Sequence, residues 1–337
     1  MARSQRRLWI GIAGVAISVG ALWWVLGDVH WAEVRAHMAE ARLLPLVLTV
    51  AVATATFPIR LVRWQLLLRR EDGGPLPFMP LWHAVAIGFM ANNILPFRMG
   101  EVMRSLTASR LTPVRFTAAF SSVAVERVFD GLTVVAMLVV SLFAAGLPAG
   151  VEVAGVPVTK TATVAGLAMG AALLVATIVV ALPALAERVI TAVLPSKALA
   201  ARLVHVIEGF RHGLSVLTSP ARTAAVVALS VVLWLVNALS FYLCFKAFGI
   251  PANFAAALLL QGILVFGIAV PTTPGYVGVF EGAIKAVLLV LGVGAGHAVA
   301  YALTYHVTTF VPIVLLGAWS LLRTSLSLDQ IREAPSA

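Results

Sequence analysis

Residues 91–106 read ANNILPFRMGEVMRSL, a polar window inside a very apolar chain. It holds two asparagines, a proline, a glycine, a glutamate and two arginines. Pro96 removes a backbone donor and Gly100 loosens the chain, so no continuous helix is expected across 92–100. Broken backbone at membrane depth persists only where protein or water satisfies it. With Gly100 near a helix start, Glu101 and Arg104 fall in the first turns and, three apart, can pair on one face. The freed amides there would form an anion-attracting helix N-terminus. The plainer reading of the window is an arginine-rich cytoplasmic loop.

The surrounding composition supports membrane depth. Of 337 residues, 61% are hydrophobic and 11% charged, and the mean hydropathy is +1.00. Soluble domains carry about 25% charged residues, so an all-α, polytopic helical membrane protein is expected. The net charge of +10 fits basic residues gathered in cytoplasmic loops against anionic headgroups, not nucleic-acid binding. The one cysteine, Cys244, can form no internal disulfide. No metal-ligand spacing, P-loop, dinucleotide fingerprint or nucleophile elbow appears, so no cofactor, metal or catalytic residue is assigned.

Residues 1–337 read as a single transmembrane domain. Apolar segments long enough to span fall near 8–26, 43–63, 117–146, 161–182, 222–248 and 298–322. The first is a retained helix, not a cleaved signal peptide, because its apolar part is long and no small-residue cleavage site follows. The shorter stretches 81–95 and 254–270 end in breakers. Arg3, Arg6 and Arg7 place the N-terminus in the cytoplasm. Arg60, Arg63, Arg69 and Arg70 read as the cytoplasmic end of the second span. Arg188, Lys197, Arg202 and Arg211 make the loop 183–221 cytoplasmic, and Arg323 does the same for the tail 323–337. The count closes if 81–95 dips in from the cytoplasm and 254–270 dips in from outside, returning through 276–292. Two full hairpin crossings satisfy the same count. Between 199 and 217, apolar residues repeat at three- and four-residue steps, as in a surface amphipathic helix.

Three further polar clusters lie in apolar surroundings. In VERVFDGL (125–132), Glu126 and Asp130 are four apart, and Arg127 and Asp130 are three apart. Each charge near the bilayer centre costs about 2.5–3.5 kcal/mol on insertion scales, so the three should face inward and pair. The group either serves a substrate or merely fixes helix packing. In VPTTPGYVGVFEGAIKAV (270–287), Pro271, Pro274, Gly275 and Gly278 break the chain, and Glu281 and Lys285 follow four apart. His306 sits among Tyr301, Thr304, Tyr305 and Thr308. It reads as a packed hydrogen-bonding residue or as one that titrates or meets a headgroup.

Windows 92–104 and 271–285 share one order: apolar stretch, proline, glycine, glutamate, then a base. Paired interrupted segments in two halves, 43–146 and 222–322, point to an inverted-repeat transporter with a midplane site. Together NNILPFRMGEVMRS, VERVFDGL, PTTPGYVGVFEGA and HVTTFVPIVLLG resemble the lysylphosphatidylglycerol synthase transmembrane-region family. That family includes the membrane half of bacterial multiple peptide resistance factors and stand-alone flippase-like proteins. The resemblance implies an inner-membrane protein that moves lipids or lipid-linked intermediates between leaflets. No soluble transferase domain is expected after the last span.

The first functional reading is therefore a lipid transporter, passive or ion-coupled, for a phospholipid, polyprenyl phosphate, glycolipid or hopanoid with an anionic headgroup. Asn92 and Asn93 belong to its headgroup path. Arg98, Arg104, Arg127 and Lys285 would attract phosphate; Glu101, Glu126, Asp130 and Glu281 would position those bases; His306 or a carboxylate could couple movement to protons. The second reading is an enzyme, or enzyme subunit, that modifies lipid headgroups. A scaffold for a separate lipid-modifying enzyme, and a homo-oligomer, are further options.

Overall fold

The structure, a computed structural model, describes residues 18–27, 29–70, 72–95, 99–144, short pieces between 152 and 192, 219–268 and 274–324. Residues 18–26 form helix α1, and α2 is Trp31–Glu40. Then come α3 (Leu43–Leu67), α4 (Phe78–Ile94), α5 (Gly100–Leu111) and α6 (Phe116–Ala144). After the middle of the chain come α7 (Pro220–Ala247), α8 (Phe254–Gly267), α9 (Val279–Val290) and α10 (Ala295–Thr324). The protein is an all-α membrane protein; its β content among the described residues is one antiparallel pairing of Glu152–Val153 with Val156–Pro157.

Helix lengths follow the apolar runs. α3, α7 and α10 are long and apolar enough to cross a membrane. The 25 residues of α3 rise about 37 Å at 1.5 Å each, enough for a hydrocarbon core of about 30 Å. α6 has 29 residues but carries Glu126, Arg127 and Asp130 within it. α4, α8 and α9 are too short to span. α7 starts with Pro220 in its first turn, where the missing N–H costs nothing. α8 starts at Asn253, whose Oδ1 accepts the Ala256 N–H at 2.9 Å, a side-chain N-cap.

The order long, short, short, long occurs twice, in α3–α6 and α7–α10. The packing obeys the same exchange. α4 packs on α10 and α8 on α6; α3 packs on α10 and α7 on α6; α3 packs on α7. Exchanging the two halves leaves that contact pattern unchanged. The direction also inverts: the Arg42 N–H at the start of α3 bonds the Ala247 carbonyl at the end of α7, 2.8 Å away. Further along, Arg63 of α3 meets Ser230 of α7. The paired first helices are thus antiparallel, as an inverted repeat requires.

Each pair of short helices folds back on itself. Gly88 of α4 lies against Gly100 and Arg104 of α5 so closely that a Cβ on Gly100 would collide with the Gly88 carbonyl. Gly100 therefore acts by close approach, within a helix turn that begins after the break. In the second half Gly267 lies over Val279 and Ala283. The hairpin tips meet: Gly275 approaches the backbone carbonyl of Asn93 and the ring of Phe310.

The apolar stretches 43–63, 117–146, 222–248 and 298–322 fall on α3, α6, α7 and α10. Pro96, Arg98, Pro271 and the amphipathic stretch 199–217 lie outside the described residues, as do residues 8–17, most of 161–182 and 325–337.

Candidate functional site

Six charged side chains from α3, α5 and α6 form one connected group. Glu126 is fully buried and accepts both arms of Arg104, at 2.9 and 3.0 Å. This two-pronged geometry is the strong form of an arginine–carboxylate contact. The same carboxylate accepts Arg127 Nη2 at 2.7 Å and lies 3.2 Å from Arg63 Nη2. Asp130 pairs with Arg63, lies 3.1 Å from Arg127 and accepts Trp234 Nε1–H at 2.9 Å. Arg63 also donates to Ser230 Oγ at 2.9 Å. Arg104 lies 3.9 Å above the Trp64 ring. The group has one open edge: the Arg127 side chain is 31% exposed, and Glu101, 3.9 Å away, is 27% exposed.

Glu101 therefore meets Arg127, and Arg104 turns inward to Glu126, which replaces the expected Glu101–Arg104 pair. Residues three apart can meet on a helix, but a buried carboxylate on the next helix offers a better-satisfied partner. At the helix N-terminus one amide is taken, because Asn92 Oδ1 accepts the Gly100 N–H at 2.8 Å. Asn93 stands where the two hairpin tips meet, and its Nδ2 is buried with no hydrogen-bond partner among the described residues.

The second half carries a separate pair. Glu281 Oε1 contacts His306 Nδ1, and Glu281 Oε2 accepts the Gly278 N–H at 2.7 Å. Gly278 has φ +88° and Gly275 φ +71°, left-handed values that favour glycine. A Cβ on Gly278 would also strike the Ser18 carbonyl of α1. Pro274 opens a single 3₁₀ turn through Tyr276. His306 stacks on Phe280, centroids 4.2 Å apart. Lys285 does not join Glu281. It is fully buried and donates to the Trp24 and Val25 carbonyls of α1 at 3.2 and 2.9 Å, an anchor for that helix.

Two arginines read as the cytoplasmic end of the second span are buried within the protein. Arg63 is fully buried and Arg60 is 8% exposed. The signal lies in their spacing: Phe57, Leu61, Trp64 and Leu67 mark the buried face of α3, and Arg60 and Arg63 share it. The guanidinium of Arg60 sits 4.8 Å from the Phe89 ring centroid and 5.9 Å from that of Trp234. Beside the group, α6, α7 and α8 border an apolar groove of about 540 Å³.

Two four-helix halves related by an inverted packing pattern, with short helix pairs meeting inside and buried charges beside them, make this an all-α, polytopic helical membrane protein. The chain belongs to the lysylphosphatidylglycerol synthase TM region family, whose pattern matches residues 11–317. It is similar to glycosyltransferase AglD of Haloferax volcanii, with 26% identity over 358 residues, 97% of this chain and 56% of that protein. The chain thus spans little more than half the length of that relative. It is also similar to two UPF0104 membrane proteins of Methanothermobacter thermautotrophicus. One is 24% identical over 84% of this chain and 83% of its own length; the other is 21% identical over 76% of each.

Proposed function

We propose that the protein is a lipid transporter that moves an amphiphile with an anionic phosphate headgroup between leaflets, passively or coupled to an ion. The observation that carries this reading is a buried charge group with one exposed edge beside two broken helices. Arg63, Arg104 and Arg127 face Glu101, Glu126 and Asp130, three bases against three acids. A phosphate entering at Arg127 exchanges with a carboxylate instead of meeting a bare charge. Such exchange gives weak retention, which suits passage more than storage. The Glu281–His306 pair stands beside the opposite hairpin and suits the ion-coupled form. Membrane lipids are the partners, and the charged loops favour a plasma-membrane location with both termini in the cytoplasm. A second reading, a membrane subunit for lipid-headgroup modification, is favoured by the glycosyltransferase name of the Haloferax relative.

The test is reconstitution into proteoliposomes carrying a fluorescent phosphatidylglycerol, with a leaflet-specific quencher, alongside mass spectrometry of lipids that co-purify. Wild-type protein should speed translocation. Arg127→Gln should slow it by about tenfold or more, the scale of one charge-assisted hydrogen bond. If the wild type moves neither this lipid nor any that co-purifies, the transport reading is wrong and the modification reading takes its place.

A further inference from the structure

We infer that Arg60 is an anion-binding residue and that the apolar groove between α6 and α7 takes one hydrocarbon chain of the same ligand, a lipid with a phosphate or phosphodiester headgroup. The inference rests on the reading of the substrate as an anionic lipid and assigns where its two ends sit. Arg60 is more than nine-tenths buried, yet among the described residues it makes no hydrogen bond and has no carboxylate within ion-pair distance. Arg63, one turn along α3, takes Asp130 and shares Glu126. Arg60 is left with the faces of Phe89 and Trp234. The arginine is 8% exposed and its guanidinium nitrogens are not fully enclosed, so an anion can reach them, and cation–π contacts are worth less than a charge-assisted hydrogen bond. Among the described residues the neighbouring bases and acids of the group balance three against three, which leaves Arg60 as an excess positive charge beside them. A headgroup of net charge −1, a phosphodiester with no cation of its own, supplies the missing partner, whereas the choline of phosphatidylcholine already neutralises its phosphate.

Trp234 connects the groove to this cation. Phe129, Thr133, Val227, Val231, Leu235 and Leu258 line it. Phe129 precedes Asp130, and Leu235 follows Trp234. Trp234 packs in one apolar cluster with Leu258 and Met137 of the groove, while its Nε1–H bonds Asp130 and its ring faces Arg60. α7 is long and apolar enough to cross a membrane, which would open the groove to hydrocarbon, and Val227, Val231 and Leu235 remain exposed within it. About 540 Å³ falls in the range that encloses a small ligand, which suits one chain, not a whole diacyl lipid. Charge complementarity at Arg60 selects a lipid over a second protein helix as occupant.

The experiment measures binding of three probes to the purified full chain in detergent: phosphatidylglycerol, phosphatidylcholine and inorganic phosphate. Wild type should prefer phosphatidylglycerol over phosphatidylcholine by about tenfold, the scale of one charge-assisted contact. Arg60→Gln should abolish the preference and Arg60→Lys should keep most of it. Arg60→Gln should melt no lower than wild type, because it removes an uncompensated buried cation. Val231→Trp should weaken both lipids equally by filling the groove. Arg60→Gln with the wild-type preference, or with a lowered melting temperature and the preference intact, overturns the anion assignment. Inorganic phosphate that binds as tightly as the lipid overturns the chain assignment. So does Val231→Trp that leaves lipid binding unchanged, or that changes only the oligomeric state. Selective binding without any translocation sinks the transport reading alone; translocation unaffected by Arg60→Gln sinks this inference alone.

Discussion

Arg63 shows at the residue scale what a helical pattern conveys and what it does not. Glu126, Arg127 and Asp130 were legible as a group, because spacings of three and four place side chains on one helical face. The partner that completes them was not, since Arg63 lies on another helix and reads locally as a loop-end base. Periodicity names a face but never what packs against it. Arg63→Ala should cost about 3–5 kcal/mol in thermal or denaturant unfolding, because it strands buried carboxylates. The exposed Arg70→Ala should stay within about 0.5 kcal/mol of wild type. Arg104→Gln should destabilise too, since Arg104 is 3% exposed and fork-bonded to Glu126. Arg127 is the cleaner probe of function. Its side chain is 31% exposed and its two carboxylate partners keep Arg63 and Arg104, so Arg127→Gln should lose less stability than Arg104→Gln while losing translocation.

At the element scale, the short hairpins were partly legible. Proline and glycine marked the interruption after residue 92, and the apolar runs were too short to span. The part played by Gly100 was not legible, because a helix breaker and a close-approach glycine look alike in a sequence. Its backbone neighbour decides between them. Gly88→Ala would push a methyl group against Arg104 and the Gly100 carbonyl. Overpacking of this kind costs about 1–3 kcal/mol, so a lowered melting temperature in detergent is expected. Glu281→Gln keeps the geometry of the Gly278 and His306 contacts but removes the charge. It should impair transport while α9 and α10 stay packed, which near-normal melting combined with a slowed leaflet assay would demonstrate.

For the whole molecule, the inverted repeat was suggested by two short polar windows, and its packing exchange was not. The swap of α4 onto α10 and α8 onto α6 joins residues far apart in the chain, and no local pattern encodes it. The arrangement makes a test of sidedness. Phe78→Cys and Arg110→Cys, at the outer ends of α4 and α5, should react with an impermeant thiol reagent from one face. Pro251→Cys and Gly294→Cys, flanking α8 and α9, should react from the other. Cys244 is fully buried and should leave the background quiet. Labelling of residues 78 and 110 from opposite faces would rule out the first hairpin. The charge group also bears on how the protein is made. Arg63, Arg104, Glu126, Arg127 and Asp130 all precede residue 131, so their mutual neutralisation is available while the second half is still on the ribosome. Only Ser230 and Trp234 arrive later. The nascent first half can settle its most costly atoms early, but α4 stays uncovered until α10, the last described helix, has been synthesised. A truncated chain ending after α6 should therefore insert and then become prey for membrane proteases, and co-expression of the missing half should rescue it.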